Sequence, residues 1–328
     1  MNRPFRRCVG IDISKQKFTA CIYTTARGRE RSPRDFPNNA SGFGALAAWA
    51  GDLDGTLFLM EATGVYHESL AMHLSGRGAA VSVILPSQAR RWAESEGTRT
   101  KTDASDSEML SRFGLQPRPF PRWTPPDPLW RRIRTLTRMR EDMIRRSAEV
   151  RCQMEALSAL DGAHEAIGLC REMIRTAATQ IRSVETGIRR ELSSRPELEE
   201  RVSYLESIPG VGFITAVTVL AETEGFRKAH SARALASFAG LDVREYQSGS
   251  SVHGRSRISK MGNAHLRAAL YMPALTAIRC SETFRKVAES INARHPESRK
   301  IAVTAIQRRL LLRMYSLWKS GESWEKKL

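Results

Sequence analysis

The stretch VGIDISKQKFTACIYT, residues 9–24, contains two runs that are rich in β-branched and apolar residues. These runs, VGIDI (9–13) and FTACIYT (18–24), are each typical of a β-strand. A third strand is expected in RERSPRDF (29–36), before a turn that begins at Pro37. Three strands at the start of the chain predict the sheet of a first domain.

Helical and strand patterns alternate beyond this point. The expected elements are the helix FGALAAWAGDL (43–53), the strand TLFLMEA (56–62), the helix YHESLAMHLSG (66–76), the strand AAVSVIL (79–85), and two helices from Pro86 and from Thr102. Three strands followed by alternating helices and strands predict an α/β layer fold. In this order they match a ribonuclease-H-like fold, which we assign to a domain of residues 1–116.

A proline-rich segment marks the clearest domain boundary. Its prolines are Pro117, Pro119, Pro121, Pro125, Pro126 and Pro128. Because proline fixes φ and cannot continue a helix, residues 117–128 are predicted to form a stiff linker. A helical hairpin, residues 129–195, and a mainly α C-terminal domain, residues 196–328, are expected to follow.

Two heptad series predict an antiparallel coiled-coil hairpin in residues 129–195. The first runs through Leu129, Ile133, Leu136, Met143, Val150, Met154 and Leu157, and the second through Ile167, Cys170, Ile174, Ala177, Ile181, Val184, Ile188 and Leu192. Asp161 and Gly162 between them indicate a turn. A plain structural arm is one interpretation. Two core positions of the first series hold the polar residues Arg140 and Ser147. Together with an arginine face formed by Arg131, Arg132, Arg134 and Arg138, they indicate dimerisation or nucleic-acid contact about as strongly as a plain arm.

The segment LESIPGVGFITAVTVLAE (205–222) places a glycine-rich turn between two apolar-periodic helices. It is similar to a helix-hairpin-helix element, in which backbone amides beside Gly210 and Gly212 would bind a phosphate. A glycine turn packed in a core has the same pattern, so both interpretations stay open.

The composition points to a polyanionic partner. The chain has 328 residues, with 52 Lys and Arg against 35 Asp and Glu, and a net charge of +17. Nucleic acid is the first candidate, and a merely soluble basic surface is the alternative. The five cysteines show no zinc or disulfide spacing. Neither a signal peptide nor an uninterrupted apolar span occurs, which predicts a soluble cytoplasmic protein without a membrane partner.

Four carboxylates in the first third of the chain are spaced as a metal-dependent nuclease needs them. Asp12 lies at or near the end of a predicted strand, Glu61 ends another just before a turn at Thr63 and Gly64, and Asp103 and Asp106 lie one helical turn apart. If the segments converge, their oxygens suit Mg²⁺ or Mn²⁺, which stabilise both oxygens of a phosphoryl displacement. Asp103 alone is more typical of a helix N-cap. A carboxylate directly after LFLM, however, is costly unless it is paired or metal-bound.

The segment SGSSVHGRSRISK (248–260) combines serines with basic side chains. A serine can attack a phosphodiester when its neighbours stabilise the developing charge. Ser/Gly/Arg loops more often bind phosphate without reacting, and Arg255, Arg257 and Lys260 would then be the contacts. Spacing does not decide which serine would react.

Six motifs together resemble one known family. They are GIDISK (10–15), MEATGVY (60–66), KTDASDSEML (101–110), SIPGVG (207–212), FAGL (238–241) and YQSGSSVHGRSRISKMGNAHLRAALYMPA (246–274). Their order and spacing are similar to those of the DEDD transposases of insertion sequences mobilised by a bridge RNA, a group that includes pilin-gene invertases. The resemblance covers nearly the whole chain. It implies a Holliday-resolvase-like catalytic domain, a coiled-coil insert and a C-terminal transposase domain with an essential serine.

The resemblance also assigns roles to individual residues. The acidic tetrad of the family matches Asp12, Glu61, Asp103 and Asp106. The family's serine, thought to form a phosphoserine link to DNA, matches Ser248. The implied partners are Mg²⁺, donor and target double-stranded DNA, a structured guide RNA, and further copies of the chain in dimers that assemble to tetramers at the bacterial nucleoid.

Two departures from the family pattern remove no proposed catalytic group. Ser107 stands where many relatives have Ala, and Gln247 stands where many have an acidic residue. The prediction is therefore an RNA-guided transposase of an insertion sequence. A junction-resolving endonuclease that uses water would still cut DNA after Ser248→Ala. A non-catalytic nucleic-acid-binding protein would keep every activity after Asp12→Asn.

Overall fold

The computed structural model describes residues 5–62, 64–97, 102–244, 247–248, 252–253 and 257–324. The chain divides into two compact units, Met1–Pro125 and Pro126–Leu328. Each unit has its own hydrophobic core. The division falls within the proline-rich segment, where proline prevents a continuous helix.

The first unit is built on a five-stranded sheet. Its strands are β1 (Arg7–Ile13), β2 (Lys17–Thr24), β3 (Gly28–Pro37), β4 (Thr56–Glu61) and β5 (Ala80–Ile84). They lie in the order β3-β2-β1-β4-β5. The first three strands are antiparallel, whereas β4 is parallel to β1 and β5 to β4. The predicted mixed α/β architecture is confirmed, and this order is compatible with a ribonuclease-H-like fold.

Four helices cover the two faces of the sheet. They are α1 (Ala40–Ala50), α2 (Glu68–Gly76), α3 (Pro86–Ser95) and α4 (Asp103–Gly114). Helices α1 and α2 pack on one face, and α3 and α4 pack on the other. Because side chains alternate along a strand, Val9 and Ile11 of β1 point toward α1 and α2, while Cys8 points toward α4. The same alternation directs Asp12 toward the α4 face.

Two helices of 30 residues each begin the second unit, α5 (Pro128–Leu157) and α6 (His164–Ser193), and they pack side by side. Helix α5 starts at the last proline of the predicted linker, with the Asp127 side chain accepting a hydrogen bond from the Leu129 N–H at 2.8 Å. Arg140, one of two polar residues in the first heptad series, donates to Glu185 of α6 at 2.6 Å. The other, Ser147, is buried. The heptad register of a coiled coil stays a prediction.

The rest of the second unit is mainly helical. Its elements are α7 (Pro196–Glu206), α8 (Phe213–Thr223), α9 (Ala232–Phe238), β6 (Val243–Arg244), β7 (Gln247–Ser248), β8 (Val252–His253), β9 (Arg257–Ile258), α10 (Ala264–Cys280), α11 (Glu282–Arg294) and α12 (Arg299–Ser320). The pairs β6–β9 and β7–β8 are antiparallel, and β7 and β8 lie between β6 and β9 along the chain; we call this segment between α9 and α10 the nested hairpin. In the described part of the chain, no helix is both long and apolar enough to cross a membrane.

Candidate active site

A row of polar residues crosses the α4 face of the sheet. Asp12 on β1 lies opposite Thr19 on β2, and Thr19 lies opposite Asp35 on β3. On the other side of β1, Glu61 continues the row, because the residues just before Asp12 and Glu61 are paired in parallel register. Residues at the same level of adjacent strands point to the same face. Asp12 and Glu61 therefore lie side by side.

Helix α4 comes unusually close to β1 because Gly10 has no side chain. A Cβ on Gly10 would lie 2.2 Å from both the Ser107 carbonyl oxygen and the Ser111 amide nitrogen. A Cβ on Gly114, at the end of α4, would lie 2.3 Å from Cys8 Sγ. These two contacts fix the direction of α4 relative to β1, so the first turn of α4 lies at the Asp12 end of the strand.

The first turn of α4 carries the other two carboxylates, Asp103 and Asp106. The N-cap residue is Thr102, whose Oγ1 accepts from the Ser105 N–H at 3.1 Å, and Ser105 Oγ accepts from the Thr102 N–H at 2.8 Å. Asp103 is thus not the N-cap, although a lone aspartate at a helix start often is. The positive end of the helix dipole favours both carboxylates here.

The pKa of Asp12 is raised at this site. Burial and the neighbouring carboxylates raise the pKa of Asp12 to about 6, against a backbone hydrogen bond that lowers it. The carboxylates, in decreasing order of effect, are Asp106, Asp103 and Glu61. The other three predicted acidic residues therefore all act on Asp12, at one end of β1.

The carboxylate oxygens of this cluster suit a divalent metal. The side chains, however, lie in an open arrangement, too far apart to hold one. Carboxylate oxygens are the ligands that Mg²⁺ and Mn²⁺ prefer, and a cation would offset the repulsion that raises the pKa of Asp12. Among the described residues, no three His, Cys, Asp or Glu side chains are close enough together to hold a metal ion. Asp103 contributes to this open arrangement, because its Oδ2 contacts Lys17 Nζ at 3.1 Å.

Ser248 lies in the second unit, on the nested hairpin. Its backbone pairs with Val252 across the β7–β8 ladder. The base of the hairpin is closed where the Ser259 N–H donates to the Asp242 carbonyl at 2.9 Å. Of the predicted basic contacts, Arg257 and Lys260 are exposed, and Arg255 lies outside the described residues.

A buried carboxylate contacts the start of α10, which follows this hairpin in the chain. Glu222 of α8 is only 1% exposed and accepts from Arg138 Nε at 2.7 Å and from Asn263 Nδ2 at 2.6 Å. Burial would raise the pKa of Glu222, but the hydrogen bonds from Arg138 and Asn263 outweigh it and hold the pKa below its usual range. Asn263 also caps α10 by accepting from the Leu266 N–H at 3.1 Å. The contacts join α5, α8 and the start of α10.

The other predicted nucleic-acid contacts have different surroundings. Gly210 has a φ of +88°, and a Cβ there would lie 2.6 Å from the Pro273 carbonyl of α10, so packing accounts for this glycine. Gly212, the N-cap residue of α8, is exposed and meets no atom in the space where a Cβ would lie. Arg132 donates to Glu191 of α6 at 2.7 Å. Arg131 is half-buried on α5.

Four residues beside the carboxylate cluster and one in the second unit were not singled out from the sequence. They are Gly10, Lys17, Thr19 and Asp35, and Glu222. Strand alternation could have grouped Lys17 with Thr19, because both face the side of Asp12. Gly10, Asp35 and Glu222 are defined by contacts with distant segments, for which local patterns carry no signal.

Known proteins resemble this chain over its full length. Residues 9–164 match a transposase family model of the IS110 DEDD type, and residues 202–289 match one described as transposase IS116/IS110/IS902 family. The pilin gene-inverting proteins of Moraxella lacunata and Moraxella bovis are each 31% identical over 325 residues, which cover 98% of both chains. The transposase for insertion sequence element IS1111A from Coxiella burnetii is 33% identical over 123 residues, 36% of this chain and 34% of the relative. The chain therefore belongs to the IS110 family of DEDD transposases, whose activity implies cleavage and transfer of DNA strands.

Proposed function

We propose that this transposase cuts and rejoins donor and target DNA under the guidance of a structured RNA, using a metal-bound carboxylate cluster and a serine nucleophile. The proposed metal ligands are Asp12, Glu61, Asp103 and Asp106, and the proposed nucleophile is Ser248. The observation that carries the proposal is the convergence of four carboxylates at one end of β1, where burial and the three neighbouring carboxylates raise the pKa of Asp12 to about 6.

The carboxylates would hold Mg²⁺ or Mn²⁺. When bound, the cation supplies charge stabilisation to the phosphate during displacement. The protein's part is to position the ligands. The sheet register sets Asp12 beside Glu61, and Gly10 admits α4 with the other two carboxylates.

Ser248 would conserve the energy of the broken phosphodiester. Its hydroxyl loses a proton, its oxygen bonds to phosphorus, and the bond from phosphorus to one deoxyribose oxygen breaks, with that oxygen taking up a proton. In the second step a deoxyribose hydroxyl of the partner DNA attacks the same phosphorus and releases the serine. The two steps leave the number of phosphodiesters unchanged, as strand transfer requires.

The charge of the chain supports a partner RNA as well as DNA. A net charge of +17 can neutralise the phosphates of more than one nucleic-acid strand. Base pairing by a guide RNA would select the target without side chains that read bases.

The test is recombination in vitro by the purified full chain. Donor and target DNA are incubated with Mg²⁺ and with RNA transcribed from the flank of the element. We expect strand transfer to require RNA, and Asp12→Asn to lower it by roughly 100-fold or more. Asp54→Asn, in an exposed turn before β4, is the matched carboxylate control and should recombine like the wild type.

The serine is tested by trapping the protein on DNA. Ser248→Ala should lose both strand transfer and the detergent-resistant protein–DNA adduct, while Ser250→Ala should keep both. If Ser248→Ala cuts DNA as well as the wild type, the enzyme hydrolyses DNA with water as a junction resolvase does. If Asp12→Asn keeps full activity, the carboxylate cluster is not catalytic. If RNA is dispensable, guidance is excluded.

A further inference from the structure

A lysine lies against the carboxylate cluster without being one of its proposed ligands. Lys17, the first residue of β2, places Nζ 2.9 Å from Asp35 Oδ2 and 3.1 Å from Asp103 Oδ2. Its ammonium group therefore bridges one proposed metal ligand and one carboxylate outside the tetrad. One oxygen of Asp103 is thus already in contact with a positive charge of the protein.

A second hydrogen bond holds the Asp35 carboxylate in position for its contact with Lys17. Thr19 Oγ1 donates to Asp35 Oδ1 at 2.6 Å, so the oxygen that does not face Lys17 is also fixed. Thr19 lies between Asp12 and Asp35 in the cross-strand row. Hydrogen bonds from Thr19 and Lys17 hold the pKa of Asp35 below its usual range, so this carboxylate stays ionised.

The bridge is accessible and exchangeable. The side chains of Lys17, Asp35 and Asp103 are each about half exposed, at 47%, 56% and 55%. All three line an open groove of about 600 Å³. Exposed ion pairs are weak and re-form readily, so a divalent cation arriving through the groove can compete for Asp103.

We propose that Lys17 is a positioning residue of the metal site, holding Asp103 in the metal-free protein and remaining on Asp35 when a divalent cation takes Asp103. The inference rests on the proposed metal site. Lys17 has two partners, so losing Asp103 leaves its charge paired at 2.9 Å with Asp35. We call the contact between Lys17 and Asp103 the latch. The open arrangement of the cluster is then the metal-free form, in which the latch holds Asp103.

Mn²⁺ binding to the full chain, followed by electron paramagnetic resonance, tests the proposal without DNA. Lys17→Met should tighten Mn²⁺ binding by about 3- to 5-fold, the scale of an exposed ion pair. Arg34→Met removes the same charge beside Asp35, from a side chain over the Phe36 ring on the other face of the sheet. It should tighten binding less.

Asp35→Asn separates a latch from a general effect of charge. Without Asp35, Lys17 has Asp103 as its remaining partner, so Mn²⁺ binding should weaken. In the Lys17→Met background the same Asp35→Asn change should have almost no effect, because Asp35 acts through Lys17. An equal loss of affinity in both backgrounds, or equal affinities of Lys17→Met and Arg34→Met, would overturn the proposal.

The same titration separates failure of the latch from failure of the site. If Asp12→Asn binds Mn²⁺ as tightly as the wild type, the proposed metal site itself is wrong, and the latch falls with it. If Asp12→Asn loses Mn²⁺ but Lys17→Met does not differ from Arg34→Met, the site stands and the latch alone is refuted. Thermal melting of each variant establishes that it is folded.

Discussion

At Gly10, a Cβ atom would lie 2.2 Å from backbone atoms of Ser107 and Ser111 in α4. Because backbone and not a flexible side chain occupies that space, the whole helix would have to move to admit it. The first turn of α4 carries two of the four carboxylates, so the same contact sets how near they come to Asp12.

We expect Gly10→Ala to lower the free energy of unfolding by about 2 kcal/mol or more, because α4 is forced away from β1. Gly44 is a matched control, since it lies inside α1 and a Cβ there meets no atom within 4 Å. Gly44→Ala should raise the free energy of unfolding by about 0.5–1 kcal/mol. Urea unfolding followed by circular dichroism measures both. Equal stabilities would contradict the close approach of α4.

The raised pKa of Asp12 makes the stability of the metal-free protein depend on pH. Its pKa rises from the ordinary value of 3.8 to about 6 in the folded state. Between these values the folded state keeps a proton that the unfolded state has released, so the free energy of unfolding falls as the pH rises through this window. The penalty is complete only when the pH lies well above 6.

Asp12→Asn removes this penalty because the amide carries no charge. Without metal, the variant should be more stable than the wild type at pH 7, and the difference should shrink toward pH 4. Urea unfolding at several pH values measures it, and Asp54→Asn should follow the wild-type curve. A difference that is the same at pH 4 and at pH 7 would show that the pKa of Asp12 is not raised in the folded protein.

At the scale of elements, the strands and helices of the first unit follow from local sequence. The β-branched runs VGIDI and FTACIYT lie within β1 and β2, and the helix expected from Thr102 is α4, with Thr102 as its cap. Alternation along strands and the capping pattern act within a few residues of the chain. Local patterns of this kind were therefore sufficient to assign Asp12 and Glu61 to strand ends.

The register of the β2–β3 hairpin could not be predicted in this way. Continuing the pairing seen next to its turn would put Pro33 opposite Thr19. Two register shifts, one on either side of Ile22, put Asp35 there instead. Such irregularities depend on packing against neighbouring elements, so the sequence did not reveal Asp35 as a neighbour of the site.

The partners of the arginine face of α5 could not be predicted from the charge pattern either. Clustered arginines indicated dimerisation or nucleic-acid contact as alternatives to a plain arm. In the structure Arg138 pairs with Glu222, and Arg132 pairs with Glu191, which lie 84 and 59 residues further along the chain. Ion pairs between segments so far apart in sequence leave no periodic pattern, so the sequence could not separate structural arginines from free ones.

The two ion pairs of α5 should differ in their contribution to stability. Arg138→Met leaves the buried Glu222 carboxylate without its guanidinium, and we expect a cost of about 2–4 kcal/mol. Arg132→Met removes an exposed pair and should cost less than about 1 kcal/mol. Urea unfolding of both variants at pH 7 measures the difference. Similar costs would mean that Glu222 does not depend on Arg138.

At the scale of the whole molecule, positive charge is concentrated after the linker. Residues 126–328 contain 35 Lys and Arg against 23 Asp and Glu, whereas residues 1–125 contain 17 against 12. The carboxylate cluster thus lies in the less basic unit. The charge of the second unit attracts DNA phosphates, and the chemistry proposed for the carboxylate cluster needs a cation to accept a phosphate.

Binding of duplex DNA should therefore depend steeply on salt. We expect the logarithm of the binding constant to fall linearly with the logarithm of salt concentration, with a slope of about −5 or steeper, equivalent to roughly six phosphate contacts. Fluorescence anisotropy with two unrelated duplexes, in the absence of RNA, measures the slope and should find the same value for both, because phosphate contacts carry no sequence information.

Arg257 links this slope to the serine hairpin. It is exposed on β9, so Arg257→Met should weaken binding to both duplexes equally and reduce the magnitude of the slope by about one. Arg77→Met removes the same charge from an exposed residue at the end of α2 and should leave the slope unchanged. If both variants shift the slope alike, DNA responds to the net charge of the chain. A loss confined to Arg257→Met places DNA phosphate on the strand pair at the base of the hairpin that carries Ser248, where a nucleophilic serine would need it.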